Sequence, residues 1–302
     1  MSNTPAPVWH QPALPDEVLQ YLAPRPGGVI VDGTVGTGGH SAMILPRLLP
    51  QGRLLAIDRD PEALALARHR LTEFEPQVTV LHGNYRELPR HLGARGIAGV
   101  DGILLDLGMS SLHVERAERG FSFSKEGPLD MRMDPAQDAT AASLVNRLTA
   151  DELSTLLRQF GEERFAARIA RRIVEARRAA PITTTTQLAR LTLEAVPPAA
   201  RHGRLHPSTR TFQALRIAVN DELGALEQFL SEAHGWLNPG GRLVVLSFHS
   251  LEDRLVKRAF ADGARAGIWT VLTKKPVRPS AGEVARNPRA RSTRLRAVER
   301  RA

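Results

Sequence analysis

The stretch Gly27-Gly28-Val29-Ile30-Val31-Asp32-Gly33-Thr34-Val35-Gly36-Thr37-Gly38-Gly39-His40-Ser41 decides the fold. Val29 to Val31 reads as a short buried strand, the glycines as a turn, and the apolar spacing of Ala42, Ile44 and Leu45 as the helix that follows. The same unit recurs downstream. GRLLAIDRDPEALALARHRL gives a strand ending in Asp58, with Pro61 suited to a first helical turn; VTVLHGNY and VDGILLDLG add two more apolar strands. Buried strands alternating with helical patterns predict an α/β domain on a mainly parallel sheet, whose ligands sit beyond the carboxyl ends of the strands. Gly36, Asp58, Tyr85 and Asp106 all fall at such ends.

From about Glu115 to Thr211 the rhythm changes to helices without strands, as in ADELSTLLRQFGEERFAARIARRIVEARR. The α/β pattern then resumes with FQALRIAVNDELGALEQFLSEAHGWL, read as one long helix, a turn at Asn238-Pro239-Gly240-Gly241, and the strand RLVVLSF. The predicted organisation is therefore residues 1–114 and 212–302 as one α/β domain, interrupted by a helical insertion over 115–211. Thr183 to Thr186 reads as a helix cap with extra threonines.

Composition narrows the chemistry. The 302 residues contain no cysteine, which excludes disulfides, thiolate-ligated zinc, iron–sulfur clusters and a cysteine nucleophile. No apolar run reaches membrane-spanning length, and MSNTPAPVWHQPALPDE lacks the basic start and apolar stretch of a signal peptide, so a cytoplasmic location is expected. The net charge is +9, and a surplus of eight lies between Lys274 and Ala302, an uneven distribution that favours a polyanionic partner held by a basic C-terminal arm. Arg164, Arg168, Arg171, Arg172, Arg177 and Arg178 offer a second basic face, although Glu162, Glu163 and Glu175 can pair with them within the helices.

The glycine turn does not fit a dinucleotide. The G-x-G-x-x-G pattern counted from Gly36 needs Gly or Ala where Ser41 stands, and a loop with Asp32 beside it suits a cationic ligand such as the methionine moiety of S-adenosylmethionine better than a pyrophosphate. Asp58, 20 residues beyond Gly38, is placed to accept hydrogen bonds from both ribose hydroxyls. Tyr85 can stack on adenine or be an ordinary half-buried aromatic.

Several long blocks resemble the bacterial 16S ribosomal RNA (cytosine-N4)-methyltransferases of the MraW/RsmH type. They are H-x-P-x-L-x-x-E at His10 to Glu17, DGTVGTGGHS at Asp32 to Ser41, AIDRDPEAL at Ala56 to Leu64 and DGILLDLGMSS at Asp101 to Ser111. ERGFSFSKEGPLDMRMDP at Glu118 to Pro135, HPSTRTFQALRIAVNDEL at His206 to Leu223, SFHSLEDRLVK at Ser247 to Lys257 and NPRARSTRLR at Asn287 to Arg296 continue the series. The resemblance implies a Rossmann-like class I S-adenosylmethionine-dependent methyltransferase with an inserted helical substrate-recognition domain. Its substrate would be the exocyclic amine of a decoding-centre cytidine in 16S rRNA of the small ribosomal subunit, methylated without a metal. The cofactor contacts it implies are Gly38, Gly39, His40, Asp58, Tyr85, Asp106 and His113. Two positions depart from the pattern: Thr34 replaces the glycine usual in methyltransferase turns, and His113 stands where many members carry Gln.

A cytosine amine is a weak nucleophile because its lone pair is delocalised into the ring, so it must be aligned with the methyl–sulfonium bond while its protons are accepted. Many amino-methyltransferases use an Asp/Asn-Pro-Pro-aromatic tetrapeptide there, whereas this chain has Asp106-Leu107-Gly108-Met109. Asp106 is accordingly the candidate catalytic residue. Ser247, His249, Glu252 and Asp253, at and after the end of the strand RLVVLSF, are placed to line the same pocket; His249 is a candidate for touching the target base, Ser250 with Asp253 has the form of a helix cap, and His206 has no partner at metal-ligand spacing. The competing classes are a dehydrogenase, a DNA amino-methyltransferase and a non-catalytic RNA-binding ribosome-assembly factor.

Overall fold

The computed structural model describes residues 11–201 and 206–302. His10, which opens the first of the motifs above, lies outside the described residues. In chain order the elements are α1 (Pro15–Leu22), β1 (Val29–Asp32), α2 (Gly39–Leu48), β2 (Arg53–Asp58), α3 (Pro61–Leu71), β3 (Val78–His82), α4 (Leu88–Gly93) and β4 (Val100–Asp106). The helices α5 (Ser111–Glu115), α6 (Ala141–Arg147), α7 (Ala150–Gly161), α8 (Ala166–Ala176), α9 (Thr185–Ala195) and α10 (Ser208–Asn220) follow. The chain ends with α11 (Glu222–Glu232), β5 (Leu237–Ser247), α12 (Ser250–Arg265), β6 (Trp269–Val271), α13 (Ala281–Arg286) and β7 (Arg294–Arg300). Two compact units result, Met1–Gly108 with Gly224–Ala302, and Met109–Leu223. Among the described residues no helix is long and apolar enough to cross a membrane.

The first unit holds a sheet of seven strands in the order β3-β2-β1-β4-β5-β7-β6, parallel from β3 to β5 and antiparallel at β7 and β6. Strand alternation sorts its residues onto two faces. Ile30, Leu54, Ala56, Leu104, Val244 and Leu246 pack with Val18, Leu22, Ile44, Leu45 and Leu64 of α1, α2 and α3. Val31, Leu55, Ile57, Leu105, Val245 and Val298 face the other way, onto Leu88, Leu226, Phe229, Val256 and Phe260. With helices on both faces, the central strands β1, β2, β4 and β5 are buried on both sides, which is why they read as apolar runs rather than alternating ones, whereas the edge strand β3 is only partly covered. The chain leaves β1 towards β2 on one side and returns to β4 on the other, so the strand order reverses between β1 and β4. Such a reversal opens a crevice at the carboxyl ends, here between Asp32 and Asp106.

Three sequence expectations are corrected in this unit. The basic C-terminal arm is not an arm: Arg294–Arg300 is β7, hydrogen-bonded between β5 and β6. Its arginines alternate with Leu295, Ala297 and Val298, which are buried in the core, while Arg294 and Arg296 reach Asp253 at 3.2 and 2.6 Å. The Asn238 to Gly241 turn lies inside β5, where pairing jumps from Val100–Leu237 to Gly102–Arg242. Helix α12 is capped by His249 rather than Ser250, through a reciprocal pair with Glu252, and Asp253 is spent on the two arginines.

The second unit is helical. Reciprocal caps start α6 at Thr140, α7 at Thr149 and α9 at Thr184, the last accounting for the threonine run. Its core gathers Leu153, Leu157, Ile169, Ile173, Leu188, Leu191 and Phe212. The expected boundary at 211/212 is corrected: α10 belongs to this unit, because Phe212, Leu215 and Val219, spaced on one helix face, bury against that core. The single long helix is two, broken at Asp221, whose φ of 48° is left-handed. Buried Asn220 fastens the break, its Oδ1 accepting from the Met133 amide and its Nδ2 donating to the Met131 carbonyl, both at 2.8 Å.

Candidate active site

The glycine turn after β1 is held by its neighbours. The Gly33 amide donates to the Leu104 carbonyl at 2.9 Å, and the Val35 amide to Ile57 at 2.9 Å, fixing the turn across β4 and β2. Gly33 is required sterically: a Cβ there would lie 2.5 Å from Leu105 Cδ2 and 3.0 Å from Tyr85 Cβ. Gly38 caps α2 with φ of 83°, a left-handed conformation that other residues adopt at a cost. Gly39 begins the helix and His40 and Ser41 turn inward, buried to 5% and 0% exposure.

Thr34, the departure from the glycine pattern, has a role of its own. Its Oγ1 accepts from the Asp106 amide at 2.6 Å, and its amide donates to Asp32 Oδ1 at 3.2 Å, so it ties the end of β4 to the end of β1. Ser41, which argues against a dinucleotide in the sequence, donates its hydroxyl to Asp32 Oδ2 at 2.7 Å. Asp32 is thus a buried scaffold carboxylate; burial, which outweighs the Ser41 bond and the neighbouring His40, raises its pKa to about 6.

Asp58 ends β2, where Oδ2 accepts from the Gly36 amide at 2.8 Å and Oδ1 from the Asp60 amide at 3.0 Å. A carboxylate has roughly four acceptor positions, so each oxygen can still accept from a hydroxyl group. Tyr85 opens a 3₁₀ turn capped by Asn84, and its half-buried ring meets Phe229 edge to face at 5.5 Å. Asp106 ends β4. Its Oδ2 lies 3.4 Å from His40 Nδ1, and its Oδ1 is sealed from solvent with no hydrogen-bond partner among the described residues. Burial first, and the negative charge of Glu252 second, raise its pKa to about 7. Glu252 is itself buried, accepting from the Phe248 and His249 amides at 2.8 and 3.3 Å.

Of the seven contacts expected, Gly38, Gly39, His40, Asp58, Tyr85 and Asp106 stand in the first unit, on the turn and strand ends just described. His113 belongs to the second, where its Nδ1 accepts from the Ser110 amide at 3.2 Å and its ring stacks on Phe121 at 4.6 Å. His249 spends its Nδ1 on the Glu252 amide as a helix cap. Sequence reasoning missed Thr34 as a bridge, because its partner amide is 72 residues away; it named Glu252 as a pocket residue but not its effect on the Asp106 carboxyl.

The donor set fits S-adenosylmethionine. Carboxylates at the ends of β2 and β4 suit a cation with ribose hydroxyls, buried Asp32 adds negative charge behind them, and Asp106 Oδ1, unpartnered among the described residues, offers a buried acceptor. A mainly parallel sheet in this order, with a glycine turn and acidic strand ends at the reversal, defines a class I S-adenosylmethionine-dependent methyltransferase. The model of the MraW methylase family matches residues 7–301. A protein of Geobacter sulfurreducens named ribosomal RNA small subunit methyltransferase H is 52% identical over 96% of this chain and 98% of its own length. Its namesake in Methylococcus capsulatus is 53% identical over 95% of this chain and 99% of its own. The chain belongs to the MraW methylase family.

Proposed function

We propose that this enzyme methylates the exocyclic N4 amine of a decoding-centre cytidine in 16S rRNA of the small ribosomal subunit. The observation that carries the reading is Asp106: a half-buried carboxyl at the β1/β4 reversal, with one oxygen sealed from solvent and unpartnered among the described residues. The names of the relatives support the ribosomal substrate, and the motif resemblance supports the cytosine amine. S-adenosylmethionine supplies an electrophilic methyl group on a sulfonium centre. Asp106 Oδ1 accepts a hydrogen bond from the amine, which turns the nitrogen lone pair out of conjugation and keeps it aligned; the carboxyl then takes the proton that the amine sheds. Asp58 holds the ribose, Tyr85 borders the adenine, and Gly38 and Gly39 let the backbone approach the ligand. In the second unit, His113 is proposed as a further cofactor contact, and the helical unit as the element that recognises RNA.

The basic residues divide by what they do. Arg294 and Arg296 serve the fold through Asp253, whereas Lys274, Lys275, Arg278, Arg286, Arg289 and Arg291 are exposed and suited to phosphates. A substrate in the small ribosomal subunit supports a cytoplasmic location. The test is transfer from labelled S-adenosylmethionine to small subunits from cells lacking this gene, with mass-spectrometric identification of the nucleoside. N4-methylated cytidine at one site, absent with Asp106→Ala, is the expected result. Methylation at another atom, or of duplex DNA in preference, refutes the assignment.

A further inference from the structure

The contacts of His40 do not read as those of a simple cofactor ligand. Its Nε2 lies 2.9 Å from the carbonyl oxygen of Ala13. A carbonyl can only accept, so Nε2 carries the hydrogen, and in the neutral ring Nδ1 is left as a bare lone pair. That lone pair faces Asp106 Oδ2 at 3.4 Å, and the imidazole is 5% exposed. Two acceptors that face each other, one of them on a buried ring, repel unless a proton lies between them. The distance is looser than a finished hydrogen bond, as is common before a substrate closes a site.

We infer that His40 is a positioning residue for Asp106: the two side chains share one proton, and His40 receives it as the substrate amine gives up its own. The inference rests on the amine-methylating reading above. The amine lone pair forms the new N–C bond as the methyl–sulfonium C–S bond breaks, its electron pair staying on the sulfur, which leaves as a neutral thioether; one N–H bond then breaks, returning its electron pair to nitrogen. That proton goes to Asp106 Oδ1 while the proton on Oδ2 passes to His40 Nδ1. The positive charge that enters with the sulfonium leaves the reaction as an imidazolium, and an incoming water or the next cycle's solvent exchange removes it.

The surroundings suit this use. Burial lowers the His40 pKa, opposed by the nearby Asp32 carboxylate, while Arg70 from α3 lowers it further. Asp106 is pushed the other way by burial and Glu252, so the shared proton rests on the carboxyl before reaction. Asp32, anchored by Ser41 and Thr34, supplies the negative charge that offsets the imidazolium afterwards. These groups, with the Ala13 carbonyl, are the charged and titratable partners that face the pair.

Two measurements test the pair. The first is single-turnover methyl transfer to small subunits against pH, at saturating cofactor and subunit, for the wild type, His40→Gln and His40→Asn. Gln can keep the bond to Ala13 but cannot take a proton from Asp106. Its acid limb should therefore move up to the carboxyl's own value of about 7, so that its rate at pH 6 is about one-tenth of its plateau, while the wild-type limb stays lower. His40→Asn, which lacks a titrating ring as well, should share that limb. An unmoved profile with weakened cofactor affinity alone overturns the inference and leaves His40 as a cofactor contact. The second needs no turnover: the ¹⁵N resonance of His40 Nδ1 in histidine-labelled protein should report an accepted hydrogen bond that Asp106→Ala abolishes, and an unchanged resonance overturns the pair. Absence of transfer by the wild type would refute the substrate reading instead, and the resonance would still decide the pairing.

Discussion

Asp106→Asn should make the protein more stable and less active, and the gain should depend on pH. The carboxyl's pKa rises from 3.8 to about 7 in the folded protein. Asp106 therefore holds its proton more tightly when folded; its contribution to stability is whole below pH ~4 and is lost as pH rises through about 7. At ~1.36 kcal/mol per pH unit the interval is worth ~4 kcal/mol, and solvent screening of the quarter of the side chain that is exposed reduces it to ~2–4 kcal/mol. Asparagine is nearly isosteric, cannot ionise, and can donate its amide to His40 Nδ1. Calorimetric unfolding should show the melting transition of the sheet-bearing unit rising by at least ~4 °C at pH 8, with little rise at pH ~3, where the carboxyl is largely protonated in both states. A shift equal at both pH values would mean that packing, not ionisation, is responsible. No shift at pH 8 would refute the claim that Asp106 is an unfavourably buried carboxyl.

Asp32→Asn follows the same rule over a narrower window: with a folded value of about 6, stability lost between pH ~4 and ~6 returns, giving ~1–3 kcal/mol at pH 8 in chemical denaturation and close to nothing at pH ~3. Its methyl-transfer rate should fall, since the negative charge beside His40 is gone. Asp58→Ala should weaken S-adenosylmethionine binding at least ~100-fold by titration calorimetry, two hydrogen bonds to a charged acceptor being worth ~3 kcal/mol or more; unchanged affinity would remove Asp58 from the ribose. Asn220→Ala strands the buried Met133 amide and Met131 carbonyl and should cost the helical unit ~2–4 kcal/mol, read as earlier proteolytic cleavage within residues 109–223.

The parallel part of the sheet was legible because β1, β2, β4 and β5 are buried on both faces and each parallel strand ends in a polar residue followed by a turn; β3, at the edge, is only partly covered. Gly33, Asp58 and Asp106 could be placed from that pattern alone. Helix α10 was assigned to the wrong unit because an amphipathic period says that a face is buried, not against which core; Phe212, Leu215 and Val219 fit either reading until their partners are known. In β7 the alternation Arg294-Leu295-Arg296-Ala297 was masked by the charge of its arginines, whose counter-ion Asp253 is 41 residues away in the case of Arg294. The same limit hid Thr34. A threonine in a glycine turn looks like a lapse until the Asp106 amide, distant in sequence, arrives at its hydroxyl oxygen.

The strand-end carboxylates share one crevice but are treated differently, and the difference tracks their chemistry. Asp58 receives backbone amides on both oxygens, which orients it for further hydrogen bonds. Asp32 receives Ser41 and Thr34, and its burial is only partly relieved by them. Asp106 receives neither: its amide is anchored by Thr34, yet its carboxyl is left with a buried oxygen and a histidine lone pair. A fold selected only for stability would have capped that oxygen, as it did for Glu252 one strand away, where two amides do so. Leaving it uncapped in a low-dielectric setting raises its proton affinity toward neutrality, the range in which a carboxyl can both accept a proton and pass one on. The arrangement is costly in the free protein and becomes favourable only when a hydrogen-bond donor, such as an amine, arrives at Oδ1.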